Sequence, residues 1–192
     1  MRGDGIFERR GGREPLALCL AALALILAHP SPAVGAGEPE LTGPLTREQI
    51  EAAVPDWVEA EIAVEPDAEA AARLAQVAAE LGERAKVEVY LGTWCSDSRR
   101  ELTRLWRHLD EAGAPPLTLE YLGFARDPTA RPREVVDAVD LRFVPTFVVR
   151  LDGREVGRIV ESSPAGVERD LAALLAGEAA GLLTGRDDLD AD

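Results

Sequence analysis

Apolar and polar positions along the chain alternate with two periods, and the periods change at recognisable punctuation. Thr46-Arg47-Glu48-Gln49 has the spacing of a capping box and predicts a short helix that ends before Pro55. From Val58 the pattern has period two, with Val58, Ala60, Ile62 and Val64 on one side and Glu59, Glu61 and Glu65 on the other. Period two predicts a half-buried strand. Asp67 is placed to cap a helix with Leu74, Val77 and Leu81 as its apolar stripe and Gly82 as its stop. Lys86 to Leu91 reads as a strand, and a helix beginning at Cys95 runs to about Ala112 with Leu102, Leu105, Trp106 and Leu109 inward. A strand over 117–122, a loop over 127–132 and a short helix over 133–139 follow. Val144-Pro145-Thr146 leads into a strand over 147–151. Asp152-Gly153 is the signal of a type I′ hairpin, so residues 154–161 return antiparallel. Ser163-Pro164 is read as the start of a last helix reaching about Ala176.

This order of strands and helices predicts an α/β fold with a central mixed sheet flanked by helices. The chain divides into a leader over 1–36, an N-terminal extension with a short helix over 37–57, a folded domain over 58–176, and an acidic, solvated, flexible tail over 177–192. Within the extension, Gly37 to Pro44 is rich in glycine and proline and is read as unstructured.

The leader has the order of a secretory signal peptide: Arg2, Arg9, Arg10 and Arg13, then an apolar run from Leu16 to Ala28, then small residues at Val34-Gly35-Ala36. The apolar run is short for a membrane span. A periplasmic or extracellular protein is therefore expected, membrane-anchored if the leader is retained. Cleavage after Ala36 removes Cys19 and leaves Cys95 as the sole cysteine, so in an oxidising compartment the thiol is either free or bonded to another molecule.

Composition narrows the partners. The 192 residues carry 35 acidic against 21 basic side chains, a formal charge of −14. Such a surface repels phosphate backbones, so nucleic acid is excluded as a general partner. A monomer is expected. No cluster of histidine, cysteine and carboxylate has metal-ligand spacing, and no glycine loop suits nucleotide phosphates, so neither metal nor cofactor is expected. His108, the one histidine outside the leader, lies roughly 20 Å along its helix from Cys95 at about 1.5 Å per residue, too far for a Cys–His dyad.

The remaining chemistry converges on Leu91-Gly92-Thr93-Trp94-Cys95-x-x-Ser98, on Val144-Pro145-Thr146 about fifty residues later, and on the Asp152-Gly153 turn. Over about 58–176 this resembles the thioredoxin family, with its Trp-Cys-x-x-Cys motif after a strand, its cis-proline segment and its hairpin. The resemblance implies a thioredoxin-like fold, a reactive Cys95, a cis Pro145, and a partner-binding surface built from Trp94, Val144, Pro145 and Thr146. In the family the residue before the proline, here Val144, offers backbone groups to a bound peptide.

A cysteine in the first turn of a helix faces unpaired N–H groups and the positive end of the dipole, which favour thiolate, the reactive form. Ser98, one turn on, is placed to donate a hydrogen bond to the sulfur. Asp97 puts a carboxylate nearby and opposes the thiolate, while Arg99 and Arg100 favour it. Three departures from the family stand out. Ser98 replaces the resolving cysteine, Val89 and Tyr121 occupy the positions of a buried carboxylate and its lysine partner, and Asp97 stands where reducing thioredoxins carry proline. The leading expectation is thiol–disulfide exchange through an intermolecular mixed disulfide, with exported protein disulfides or small thiols as partners. A non-redox binding module and a thiol redox sensor are the alternatives.

Overall fold

The computed structural model describes residues 39–189; the expected signal peptide over 1–36 lies outside them. Six strands form one mixed sheet: β1 (Gly43–Leu45), β2 (Ala85–Leu91), β3 (Thr118–Gly123), β4 (Thr146–Leu151), β5 (Arg154–Val160) and β6 (Gly181–Thr184). Their order across the sheet is β1-β3-β2-β4-β5-β6. β2 and β3 run parallel, as do β5 and β6, while β1/β3, β2/β4 and β4/β5 are antiparallel. The fold class is α/β with a mixed sheet flanked by helices. In the core of the sheet, a parallel pair next to an antiparallel hairpin is the arrangement that the thioredoxin resemblance implied.

The helices are α1 (Arg47–Ala53), α2 (Pro55–Ala63), α3 (Ala68–Leu81), α4 (Ser96–Glu111), α5 (Arg133–Ala138) and α6 (Val167–Ala176). Alternation along each strand sorts the sheet into two faces. Val87, Val89, Leu91, Phe147, Val149 and Ile159 enter a core completed by residues of α1, α2, α3, α4 and α6. The opposite face carries Tyr90 and Val148, which pack with Phe124, Leu141 and Val144 and with the short α5. Cys95 and Trp94 sit against this second, smaller cluster.

Most expected elements form where the periodicity placed them. Thr46 and Gln49 complete the capping box of α1, and Asp67 caps α3, accepting from the amides of Glu69 and Ala70. Asp152 and Gly153 both have positive φ, as a type I′ turn requires.

Four expectations are corrected. Residues 58–63 are helical, not a strand. Pro55 opens α2 at its first position, and the buried positions Ile50, Val54, Trp57 and Glu61 recur every three or four residues, the helical period. Ile62, expected to face inward, is 75% exposed, because the packing anchor is Trp57 against Trp106. The strand missing there is supplied from the segment read as unstructured, since Gly43–Leu45 pairs with Gly123–Tyr121 as β1. The segment read as a solvated tail contributes β6, whose Gly181 approaches Gly157 so closely that no Cβ would fit there. Finally, Ser163 does not cap the last helix. α6 begins at Val167 after Gly166, and the Ser163 hydroxyl hydrogen-bonds to the Asp170 carboxylate instead.

Candidate functional site

β2 ends at Leu91, and a tight turn carries the chain into α4. The Cys95 amide donates to the Gly92 carbonyl at 2.9 Å, and the Cys95 carbonyl accepts from the Arg99 amide at 3.0 Å, so Cys95 is the N-cap of α4. Glycine is required at 92, because a Cβ there would meet the Trp94 indole at 2.6 Å. The turn is also held from outside. Thr93, almost fully buried, accepts from the Leu41 amide at 3.1 Å and donates to the Pro39 carbonyl.

The structure brings Cys95 to the proline segment. The Val144–Pro145 peptide bond is cis, and Cys95 Sγ lies 3.2 Å from the Val144 carbonyl oxygen as donor to acceptor. The sulfur is half-buried and unbridged. It makes no side-chain bond to the free amides of α4, so its one hydrogen bond goes to the proline segment and not to the helix end. Pro145 and Thr146 are buried behind it, and the Thr146 hydroxyl turns away to the Phe143 carbonyl at 2.8 Å. No hydrogen bond to the Val144 amide is present among the described residues.

Ser98 departs from expectation. It is fully buried, and its hydroxyl accepts from the Gly92 amide at 3.2 Å, which braces the turn from within. No Ser98–Cys95 hydrogen bond is present among the described residues. The charged neighbours also turn outward: Asp97 pairs with Arg100 at 2.5 Å, and Arg99 pairs with Asp56 at 3.2 Å. Trp94 is held by its own chain. Its Nε1 donates to the Phe124 carbonyl at 2.8 Å, and the guanidiniums of Arg126 and Arg131 lie 5.1 and 5.8 Å from its ring centroid, within cation–π range. Arg126 is in turn tied to Glu40, whose carboxylate accepts from the Arg126 amide at 3.0 Å. Gly92 and Thr93 lay inside the motif without an assigned role. Nothing in the sequence marked Glu40, Arg126 or Arg131.

Val89 and Tyr121 are neighbours across β2 and β3. Val89 is fully buried, and the Tyr121 hydroxyl accepts from Trp106 Nε1 at 2.9 Å. Burial pushes the Tyr121 phenol up to about 12, with that indole bond working against the rise. Neither residue exchanges protons near neutral pH.

At the other end of α4, His108 is fully buried. Its Nε2 accepts from the Asp67 amide at 3.0 Å, which places the proton on Nδ1, 2.8 Å from the Arg104 carbonyl. Nearby, Arg104 binds buried Glu168 through Nε and Nη2 at 2.7 and 2.5 Å. Burial works to raise the Glu168 carboxyl, but these bonds outweigh it and hold it below its ordinary value. Glu101, also on α4, moves the other way: burial raises it, only partly offset by Arg100. No group of three or more residues suited to holding a metal ion occurs among the described residues.

No protein-family profile matches the chain, and no curated protein sequence matches it. Among solved structures it is similar to a protein of unknown function from Pseudomonas aeruginosa, at 16% identity over 68% of this chain and 86% of that one, with a TM-score of 0.46. It is also similar to thioredoxin from Fasciola hepatica, at 20% identity over 55% and 91% with a TM-score of 0.35. Thioredoxin f2 from Chlamydomonas reinhardtii matches at 15% identity over 52% and 83%, again with a TM-score of 0.35. At these identities and scores the likeness extends no further than the chain trace.

Proposed function

We propose that this is an exported monothiol protein of thioredoxin-like fold that exchanges disulfides through an intermolecular bond at Cys95. The observation that carries the reading is the half-exposed Cys95 sulfur lying 3.2 Å from the Val144 carbonyl, beside the Val144 amide, which has no partner among the described residues. Export rests on the leader's charged, apolar and small-residue order.

In the exchange, Cys95 as thiolate attacks one sulfur of a partner disulfide. The new S–S bond forms as the old one breaks, and the departing sulfur takes up a proton. Ser98 has no sulfur to resolve the product, so release falls to an external thiol. That thiol attacks the partner's sulfur in the mixed disulfide, Cys95 leaves, and the external sulfur stays bonded to the partner. Disulfides are thereby exchanged without net oxidation. The partner's extended backbone would use the Val144 amide as a donor, and Trp94 would border the bound segment.

One feature favours a second reading, a binding module without turnover. Ser98 and the Val89–Tyr121 pair leave no acid–base machinery for a second sulfur. Trapping separates the two. Cells expressing the chain are lysed in excess N-ethylmaleimide, and adducts are resolved with and without reductant. Exchange predicts reducible adducts that disappear completely in Cys95→Ser. A thiol recovered wholly as the maleimide adduct, with partners captured equally by Cys95→Ser, overturns exchange in favour of binding.

A further inference from the structure

A cleft of about 740 Å³ opens beside the first turns of α4. Ser96, the residue after Cys95, lies at one end and Arg104 at the other, which along a helix spans about 12 Å. α2 forms one wall, and the loop Ser163–Gly166 forms the other. That loop follows directly from the proline side of the site, since the Glu161 amide donates to the Pro145 carbonyl at 2.8 Å. The cleft is thus an open trough leading away from Cys95, long enough for three or four extended residues at about 3.3 Å each.

Its lining runs against the charge of the molecule. Arg99, Arg100 and Arg104 face a single lining carboxylate, Glu101, on a chain with a net charge of −14. Each guanidinium keeps donors unengaged among the described residues. Arg104 uses Nε and Nη2 on Glu168, and Arg100 uses Nε on Glu101 and Nη1 on Asp97. The Arg99 side chain makes no hydrogen bond among the described residues, only an ion pair with the exposed Asp56. Donors of this geometry match carboxylates two at a time. The intramolecular acids at the rim, Asp56 and Asp97, are solvated and exchangeable.

From this geometry we infer that the trough receives an acidic segment of the partner: Asp or Glu residues adjoining the cysteine whose disulfide Cys95 attacks. The inference rests on the exchange reading for its chemistry and deepens it by naming the substrate class. Electrostatic selection fits this placement, because the three guanidiniums relieve there the like-charge repulsion that an acidic segment meets elsewhere on a chain of charge −14.

The test uses the full chain and two synthetic peptides, each bearing one cysteine as a mixed disulfide with 2-nitro-5-thiobenzoate. Three glutamates follow the cysteine in one peptide and three glutamines in the other. Release of the coloured thiol gives the second-order rate constant. The acidic peptide is expected to react about ten-fold faster at low salt, with the ratio falling as ionic strength rises. In Arg99→Glu, checked for an unchanged melting temperature, the ratio should fall to about one or invert; if that variant unfolds, Arg99→Gln, which should halve the ratio or more, replaces it. Equal rates for the two peptides, or a preference that survives in the Arg99 variants, overturn the inference. A second measurement separates this from failure of the exchange reading. Anisotropy of a dye-labelled, thiol-free acidic peptide is followed with Cys95→Ser. Acid-selective, Arg99-dependent binding without thiol release from either activated peptide sinks exchange and keeps the trough, and absence of selectivity in both assays sinks the trough.

Discussion

The two ends of α4 each carry a side chain capable of chemistry, and the fold treats them in opposite ways. At the start, the Cys95 sulfur is half-exposed, with one hydrogen bond to a neighbouring carbonyl. Toward the end, His108 is fully buried, with one ring nitrogen accepting from the Asp67 amide that caps α3 and the other donating a hydrogen bond to the Arg104 carbonyl. The cysteine has capacity left for a partner; the histidine has none. Satisfaction of hydrogen bonds is what separates the two ends.

The sharpest way to break this contrast is His108→Ala. The change opens a cavity and strands a buried amide, so a loss of about 3 kcal/mol is expected in urea unfolding. The alkylation rate of Cys95 per folded molecule should not change. A rate change at full folding would mean that the two ends are coupled.

Gly92→Ala acts at the other end. The added methyl meets the Trp94 ring, so a cost of about 2 kcal/mol is expected from overpacking. Here the alkylation rate should shift with it, because Trp94, Gly92 and Ser98 together shape the turn that holds the sulfur. Stopped-flow alkylation alongside thermal melting distinguishes a moved sulfur from a merely weakened fold.

The smallest effect is pH-dependent. Glu168 is held below its ordinary value of 4.5 in the folded state, so its contribution is present above that pH and is lost as pH falls below it. Unfolding midpoints should decline through that acid range, and Glu168→Gln should flatten the decline. Glu101, raised by burial, contributes most below 4.5 and loses that contribution as pH rises above it. Glu101→Gln should therefore remove a stability decrease on the neutral side of 4.5. A Glu101 variant whose profile matches the parent would show that this carboxylate is solvated in the folded chain.

Local periodicity carried most of the fold because it needs only neighbours in sequence. The stripe of α3, the strands either side of the Asp152-Gly153 turn and the cap at Thr46 were legible for that reason. It failed where one pattern served two periods. Val58 to Val64 alternates like a strand, yet Trp57 packing on Trp106 selects the helical face, and no local signal announces a contact nearly fifty residues away. β1 and β6 failed similarly, since edge strands of three and four residues form only because β3 and β5 offer unpaired backbone.

By itself the sequence determined the helix-start cysteine, the hairpin at Asp152-Gly153, and the presence of a serine without a second thiol at position 98. These are matters of residue identity at short spacing. Tertiary structure alone decided where each polar group found its partner. It turned Ser98 to Gly92, bound the Cys95 sulfur to Val144, fastened Thr93 to the Pro39–Leu41 segment and lined one trough with three arginines. Such pairings depend on which backbone and side-chain donors meet in space, and hydrogen-bond satisfaction is settled only when the whole chain has folded.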